Sequence, residues 1–260
     1  MIDIILPSFL LSISLIFIHV YFGLKIFERG VIFSDIAIAQ VSALGITLSY
    51  LLGLEKISYI LGVVLSAIAG VFLSFIRKYS IEIKESFVGI IYAFSSAVSV
   101  IILSRMPEYE IHGIKEIIVG NILFINIKDV LSGSSIYLSV GIGHFLIEKI
   151  IKKDSFLYEF IFYLAFSLVV SSSVSKGGVL LVFSYLVIPT FCTNLILKTF
   201  KSKLITGWIL GVSANLVGFI ISLELDYPTG PSVIFILGLI SFLFLSLKIL
   251  NRRKKKHVDI

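Results

Sequence analysis

Four side chains that lie within apolar stretches have the chemistry to contact a divalent cation: Asp35, Gln40, His19 and His144. Carboxylates and neutral imidazoles bind divalent metals well, and Gln40 offers a weaker amide oxygen. An ionisable group inside an apolar helix is costly unless it faces protein or water, so these residues predict a transport pathway, with Asp35 as the candidate metal ligand. The alternatives are solvation at the headgroups for Asp35 and a simple interhelical hydrogen bond for either histidine.

No motif for catalysis accompanies these residues. The sequence contains neither a GK[ST] phosphate-binding loop nor an HExxH pair, the signatures of a P-loop nucleotide site and a zinc protease. The single cysteine, Cys192, excludes an intrachain disulfide and multi-cysteine metal centres. We therefore predict that the chain is not an enzyme, has no covalently bound cofactor, and depends on a partner for any use of ATP.

The elements that carry these residues must be membrane-spanning helices. Of the 260 residues 58% are hydrophobic and 15% charged, against roughly 25% charged in soluble domains. The apolar runs are about 20 residues long, which is the length that crosses a bilayer as a helix. This composition excludes a soluble enzyme, a disordered chain and a nucleic-acid-binding domain, and it predicts an all-α, polytopic transmembrane bundle. The nine predicted spans are residues 4–26, 31–54, 57–76, 87–103, 130–147, 156–174, 178–197, 204–223 and 232–250.

The distribution of positive charge orients the bundle. With the N-terminus outside and nine crossings, 17 of the 22 Lys and Arg residues lie on the inner side. Basic residues are retained on the cytoplasmic side, so we predict an external N-terminus and a cytoplasmic C-terminus. Residues 1–250 then form one transmembrane domain. Residues 251–260 form a basic tail that suits anionic lipid headgroups better than a nucleic acid.

Two segments depart from the simple pattern of spans. Residues 105–129 are interrupted by Pro107 and Gly113 and are too short in apolar length to cross, so a re-entrant or surface helix is expected there. In the seventh span, Pro189 removes a backbone hydrogen bond, so the helix is expected to kink or end. The polar and basic residues 191–203 that follow predict a short amphipathic cytoplasmic segment that docks onto another protein, with an ordinary loop as the alternative.

Four sequence blocks together resemble the integral-membrane permease of the zinc/manganese/iron family of ABC importers. They are residues 33–45 (FSDIAIAQVSALG), 119–129 (VGNILFINIKD), 176–190 (KGGVLLVFSYLVIPT) and 226–238 (DYPTGPSVIFILG). The resemblance implies a homodimer with a fold similar to the cobalamin-importer permease, in the plasma (inner) membrane. It also implies a cytoplasmic ABC ATPase, which binds ATP, and an extracytoplasmic metal-binding protein as partners, with a transported zinc, manganese or iron ion.

By the same resemblance, the segment that begins at Pro189 corresponds to the coupling helix that contacts the ATPase. The candidate coupling residues are Pro189, Thr190, Phe191, Thr193, Asn194, Lys198, Lys201 and Lys203.

The sequence departs from the family pattern at three positions. Gln40 stands at the family histidine, Leu44 at the family proline and Asn194 at a common arginine. The family aspartate and histidine are four residues apart and share a helix face, whereas Asp35 and Gln40 are five apart, about 140° around a helix. The alternatives that remain are an ABC permease for a different substrate and a secondary transporter driven by an ion gradient.

Overall fold

The computed structural model describes residues 2–106, 122, 125–153 and 155–258, and the side chains of residues 5–249 within those ranges. Most of the segment 105–129, including His112, lies outside this part of the chain. The expectation of a re-entrant or surface helix there stays a prediction.

The described residues form nine helices long and apolar enough to cross a membrane, and no strand. The predicted all-α fold and the number of spans are therefore confirmed for this part of the chain. We number the helices α1 Ile2–Arg29, α2 Ser34–Leu51, α3 Ser58–Phe75, α4 Ile81–Leu103, α5 Ile127–Ile150, α6 Phe156–Gly177, α7 Val179–Ile196, α8 Phe200–Leu225 and α9 Thr229–Val258.

Helix α4 begins at Ile81, six residues before the predicted start at Phe87. The added turns contain Glu82, Lys84 and Glu85, which an apolar window leaves out. Charged residues continue a helix readily where it emerges from hydrocarbon, because their intrinsic helix propensity is high. Glu85 also has a structural role, described below.

Helix α7 passes through Pro189 and continues to Ile196, so an end of the helix at the proline is wrong, whereas the predicted span of residues 178–197 agrees with the structure. A proline removes only one intrahelical hydrogen bond, and tight packing of the neighbouring turns can hold the helix together. Pro189 is buried, and a Cβ built on Gly207 of α8 would lie only 3.9 Å from the Cβ of Pro189. Beyond the proline, the Thr193 hydroxyl donates to the Thr190 carbonyl at 3.0 Å.

The helices pack around α1 and α2. Helix α1 is central to one group and contacts α5, α7 and α8, while α2 packs on α3, α4 and α6. Small residues allow the closest approaches. A Cβ built on Gly45 of α2 would lie 2.8 Å from the Cα of Gly62 in α3. The outer helices expose large apolar side chains, such as Phe94 of α4 and Phe242 of α9, which suits a lipid environment.

Candidate ion pathway and coupling surface

Asp35 lies in the first turn of α2 and is completely buried. Neither of its carboxylate oxygens has a hydrogen-bond partner among the described residues. The Ser42 hydroxyl, also buried and without a partner in that part of the chain, lies seven residues further on and therefore on the same face of the helix. The interior face of α2 thus presents a carboxylate and a hydroxyl that the described residues leave free to bind something else.

The start of α2 is held in place by a second carboxylate that the sequence analysis did not identify. The Glu85 carboxylate of α4 accepts a hydrogen bond from the Ile32 backbone N–H at 2.9 Å, just before the helix begins. A negative charge is favourable at a helix N-terminus because the first N–H groups have no partner within the helix. Glu85 therefore positions Asp35 indirectly, through the backbone.

The start of α2 also contacts α7. The ring of Phe33, two residues before Asp35, stacks on Phe183 in the second turn of α7, with centroids 6.5 Å apart. The start of α2 is therefore packed against protein on two sides, on α4 through Glu85 and on α7 through Phe33.

Gln40 is on the same helix, 9% exposed. Because α2 is continuous from Ser34 to Leu51, five residues separate the two side chains by about 140° around the axis. Within one subunit, Asp35 and Gln40 do not face the same ion.

The two histidines lie in different environments. The imidazole of His19 in α1 is fully buried, and its Nδ1 donates to the Leu15 carbonyl at 2.8 Å, while its Nε2 has no partner among the described residues. His144 of α5 pairs its Nδ1 with the Tyr21 hydroxyl at 2.8 Å and lies against the rings of Phe22 and Phe162. His144 fits the simple interhelical hydrogen bond, whereas His19 keeps one nitrogen free.

These side chains do not assemble into a metal centre within one subunit. Within the described ranges, no group of three or more His, Cys, Asp and Glu side chains could hold a metal ion together.

The C-terminal end of α1 carries partly buried ion pairs that sequence reasoning missed. Lys25 contacts Glu148 of α5 at 2.6 Å, and Arg29 contacts Glu159 of α6 at 3.0 Å. The Tyr158 hydroxyl also donates to Glu148, at 2.8 Å. The sequence signal that could have predicted these ion pairs is the presence of two acidic residues, Glu148 and Glu159, on either side of a basic loop between two spans. These contacts fasten α1, α5 and α6 together.

The candidate coupling residues occupy the end of α7, the short connection and the start of α8. Thr190 and Thr193 are buried, Phe191 and Asn194 partly buried, and Lys198 and Lys201 exposed. They do not form a separate amphipathic helix, because only residues 197–199 lie between α7 and α8.

Two lysines secure the end of α7. Lys203 of α8 donates to the Asn194 side-chain oxygen at 2.6 Å, and the Asn194 amide donates to the Thr190 carbonyl at 2.9 Å. Lys248 of α9 donates to the Leu195 carbonyl at 2.6 Å. Cations are favourable beside the last carbonyl groups of a helix. The basic loop is therefore joined directly to the last two helices.

The chain is similar to known transport proteins over most of its length. The profile of the ABC 3 transport family matches residues 1–248. The chain is 23% identical to the manganese import system permease protein ScaB of Streptococcus gordonii, over 84% of this chain and 82% of that protein. It is 24% identical to the chelated iron transport system membrane protein YfeD of Yersinia pestis, over 78% and 71%.

The fold also has a counterpart among solved structures. A chain of PsaBC from Streptococcus pneumoniae in complex with Fab superposes with a TM-score of 0.73 and 19% identity, over 92% of this chain and 90% of that one. At this identity the match shows a shared fold.

Proposed function

This chain belongs to the ABC 3 transport family, and on that premise we propose that it is the membrane permease subunit of an ABC importer for a divalent metal cation. As a family member with nine membrane-compatible helices among its described residues, it is a multi-pass membrane transport protein. The family match over residues 1–248 carries the proposal. The names of the manganese and iron relatives support the class of cargo.

The proposed partners follow from what this chain lacks and what it presents. Its sequence has no phosphate-binding loop, so ATP is bound and hydrolysed by a cytoplasmic ABC ATPase. That ATPase contacts the loop that begins near Ile196, where Lys198 and Lys201 are exposed. A second copy of the chain completes the pathway, and an extracytoplasmic metal-binding protein delivers the ion.

The proposed mechanism links the coupling loop to the pathway through α7. Binding of ATP to the ATPase displaces the Ile196 end of α7, and the two permease subunits rock between outward-facing and inward-facing states. Phe183 of the same helix stacks on Phe33, two residues before Asp35, so the displacement of α7 is transmitted to the start of α2 and to Asp35. Asp35, with Ser42, contacts the ion as it passes, and Gln40 and His19 contribute from other directions.

The proposal is tested with the complete complex in proteoliposomes. We expect uptake of radioactive manganese only when the permease, the ATPase, the binding protein and internal ATP are all present. Competition by zinc and iron(II) then ranks the cargo. Manganese uptake at the full rate without the ATPase contradicts the proposal. Uptake that a protonophore abolishes at constant ATP favours the secondary transporter instead.

A further inference from the structure

An apolar groove lies along α1. It is bounded by α1, α5 and α8 and has a cavity volume of about 490 Å³, within the usual range of small-ligand sites. Its walls are mostly aromatic and aliphatic side chains, including Phe17, Tyr137 and Trp208. Asp35, Gln40, Ser42 and His19 are not among the residues that line it, so the groove is separate from the side chains proposed to contact the ion.

The groove has the length and depth of a lipid chain in one leaflet. Along α5 it runs from Ser134 to Phe145, eleven residues or about 16 Å of helix, close to half of the roughly 30 Å hydrocarbon core. At one end Phe145 lies near the end of α5 and Phe200 begins α8. The other end lies beside Ser14, near the middle of α1, where the hydroxyls of Ser14 and Ser134 are 2.8 Å apart.

The mouth between Phe145 and Phe200 is positively charged. The Lys149 ammonium lies 4.3 Å from the centre of the Phe145 ring, and the Lys25 ammonium 4.6 Å from that of Phe200. Glu148 neutralises Lys25 at 2.6 Å, so Lys149, with the exposed Lys201 next to Phe200, supplies the excess charge. Basic sites between helices on the cytoplasmic side bind anionic lipid headgroups.

We infer that this groove is a specific site for one anionic phospholipid of the inner leaflet. One acyl chain lies along α5 between Ile142 and Trp208, and the headgroup phosphate is held at Lys149. The inference depends on the membrane location of the chain and not on its cargo.

Native mass spectrometry of the delipidated protein, titrated separately with phosphatidylglycerol and phosphatidylcholine, tests the inference. We expect one tightly retained phosphatidylglycerol per chain, with at least fivefold preference over phosphatidylcholine. Ile142→Trp, which fills the groove from an exposed position, weakens retention of both lipids at least fivefold. Lys149→Gln removes most of the preference for phosphatidylglycerol and leaves phosphatidylcholine unaffected.

Lys153→Gln is the matched control, because it removes one exposed charge from the same inner loop away from the groove. Leu138→Trp provides a second groove-filling variant if Ile142→Trp fails to fold. Equal loss of preference in Lys149→Gln and Lys153→Gln would mean general surface attraction and overturn the inference. So would unchanged lipid retention together with dissociation of a dimer in the tryptophan variants, since the groove would then be an interface between copies of the chain.

Discussion

At the scale of single residues, Asp35 is the strongest candidate for function, because it is a buried carboxyl group without a hydrogen-bond partner among the described residues. A buried ionised group without a hydrogen-bonding partner is strongly destabilising. Two partly buried carboxylates, Glu148 and Glu159, are each paired with a cation. This contrast is the reason for proposing that Asp35 contacts the transported ion.

We therefore expect Asp35→Asn to separate stability from transport. The amide has nearly the same shape and removes the buried charge, so the free energy of unfolding should rise by at least about 1 kcal/mol. ATP-dependent metal uptake should fall at least tenfold. Thermal denaturation and proteoliposome uptake check the two effects.

Glu55→Gln provides the control for that substitution, because Glu55 is an exposed carboxylate in a connecting segment. It should alter neither quantity appreciably. If the Asp35→Asn variant transports metal at the normal rate, Asp35 is not part of the ion pathway.

At the scale of elements, α2 packs closely against α3 because each helix has a glycine, Gly45 or Gly62, at the contact. The position of a Cβ on Gly45 would be 2.7 Å from the Leu61 carbonyl oxygen and 2.8 Å from the Gly62 backbone nitrogen. Backbone atoms cannot move aside as flexible side chains can. The two helices, and with them the face of Asp35 and Ser42, are therefore positioned by this contact.

Gly45→Ala should push α2 and α3 apart and lower the free energy of unfolding by about 1–3 kcal/mol, the usual cost of overpacking. Gly89→Ala is the matched control, since a Cβ on Gly89 of α4 meets no atom within 4 Å. That change should be neutral or stabilising by up to about 1 kcal/mol. Equal effects of the two substitutions on thermal denaturation would show that the close approach is not structurally important.

The end of α7 is the second element on which function is proposed to depend. Lys203→Met removes the charged donor to Asn194, a hydrogen bond of about 1.5–3 kcal/mol. We expect the number of metal ions imported per ATP hydrolysed to fall severalfold, because the end of α7 is then less firmly joined to α8.

Lys152→Met, in a different inner loop and exposed, should leave this ratio unchanged. If Lys203→Met also preserves the ratio in the reconstituted complex, the contact has no part in coupling.

At the scale of the whole molecule, the asymmetry of charge predicts the orientation in the membrane. Nine crossings with the basic loops inside put Glu224, at the end of α8, outside and Lys153, between α5 and α6, inside. Cys192 is buried and can be replaced by serine to give a background without thiols. Orientation can then be read by labelling single introduced cysteines.

In that background, we expect Glu224→Cys to react with a membrane-impermeant maleimide in intact cells. Lys153→Cys should react only after the membrane is permeabilised. The opposite labelling pattern would mean that the orientation in the membrane is the reverse of the predicted one. The proposed coupling loop would then lie on the wrong side for a cytoplasmic ATPase.

The sequence alone determined the class of fold, the number of spans among the described residues and the family resemblance. Apolar length against bilayer thickness is a local property, so it can be counted along the chain. Asp35 could be selected in the same way, as a charge near the start of an apolar run.

Only the tertiary structure decided which polar groups found partners. His144 pairs with Tyr21, and Lys25 pairs with Glu148, while Asp35 has no partner among the described residues. The partners in these two pairs are 123 residues apart in sequence, so no local pattern records them.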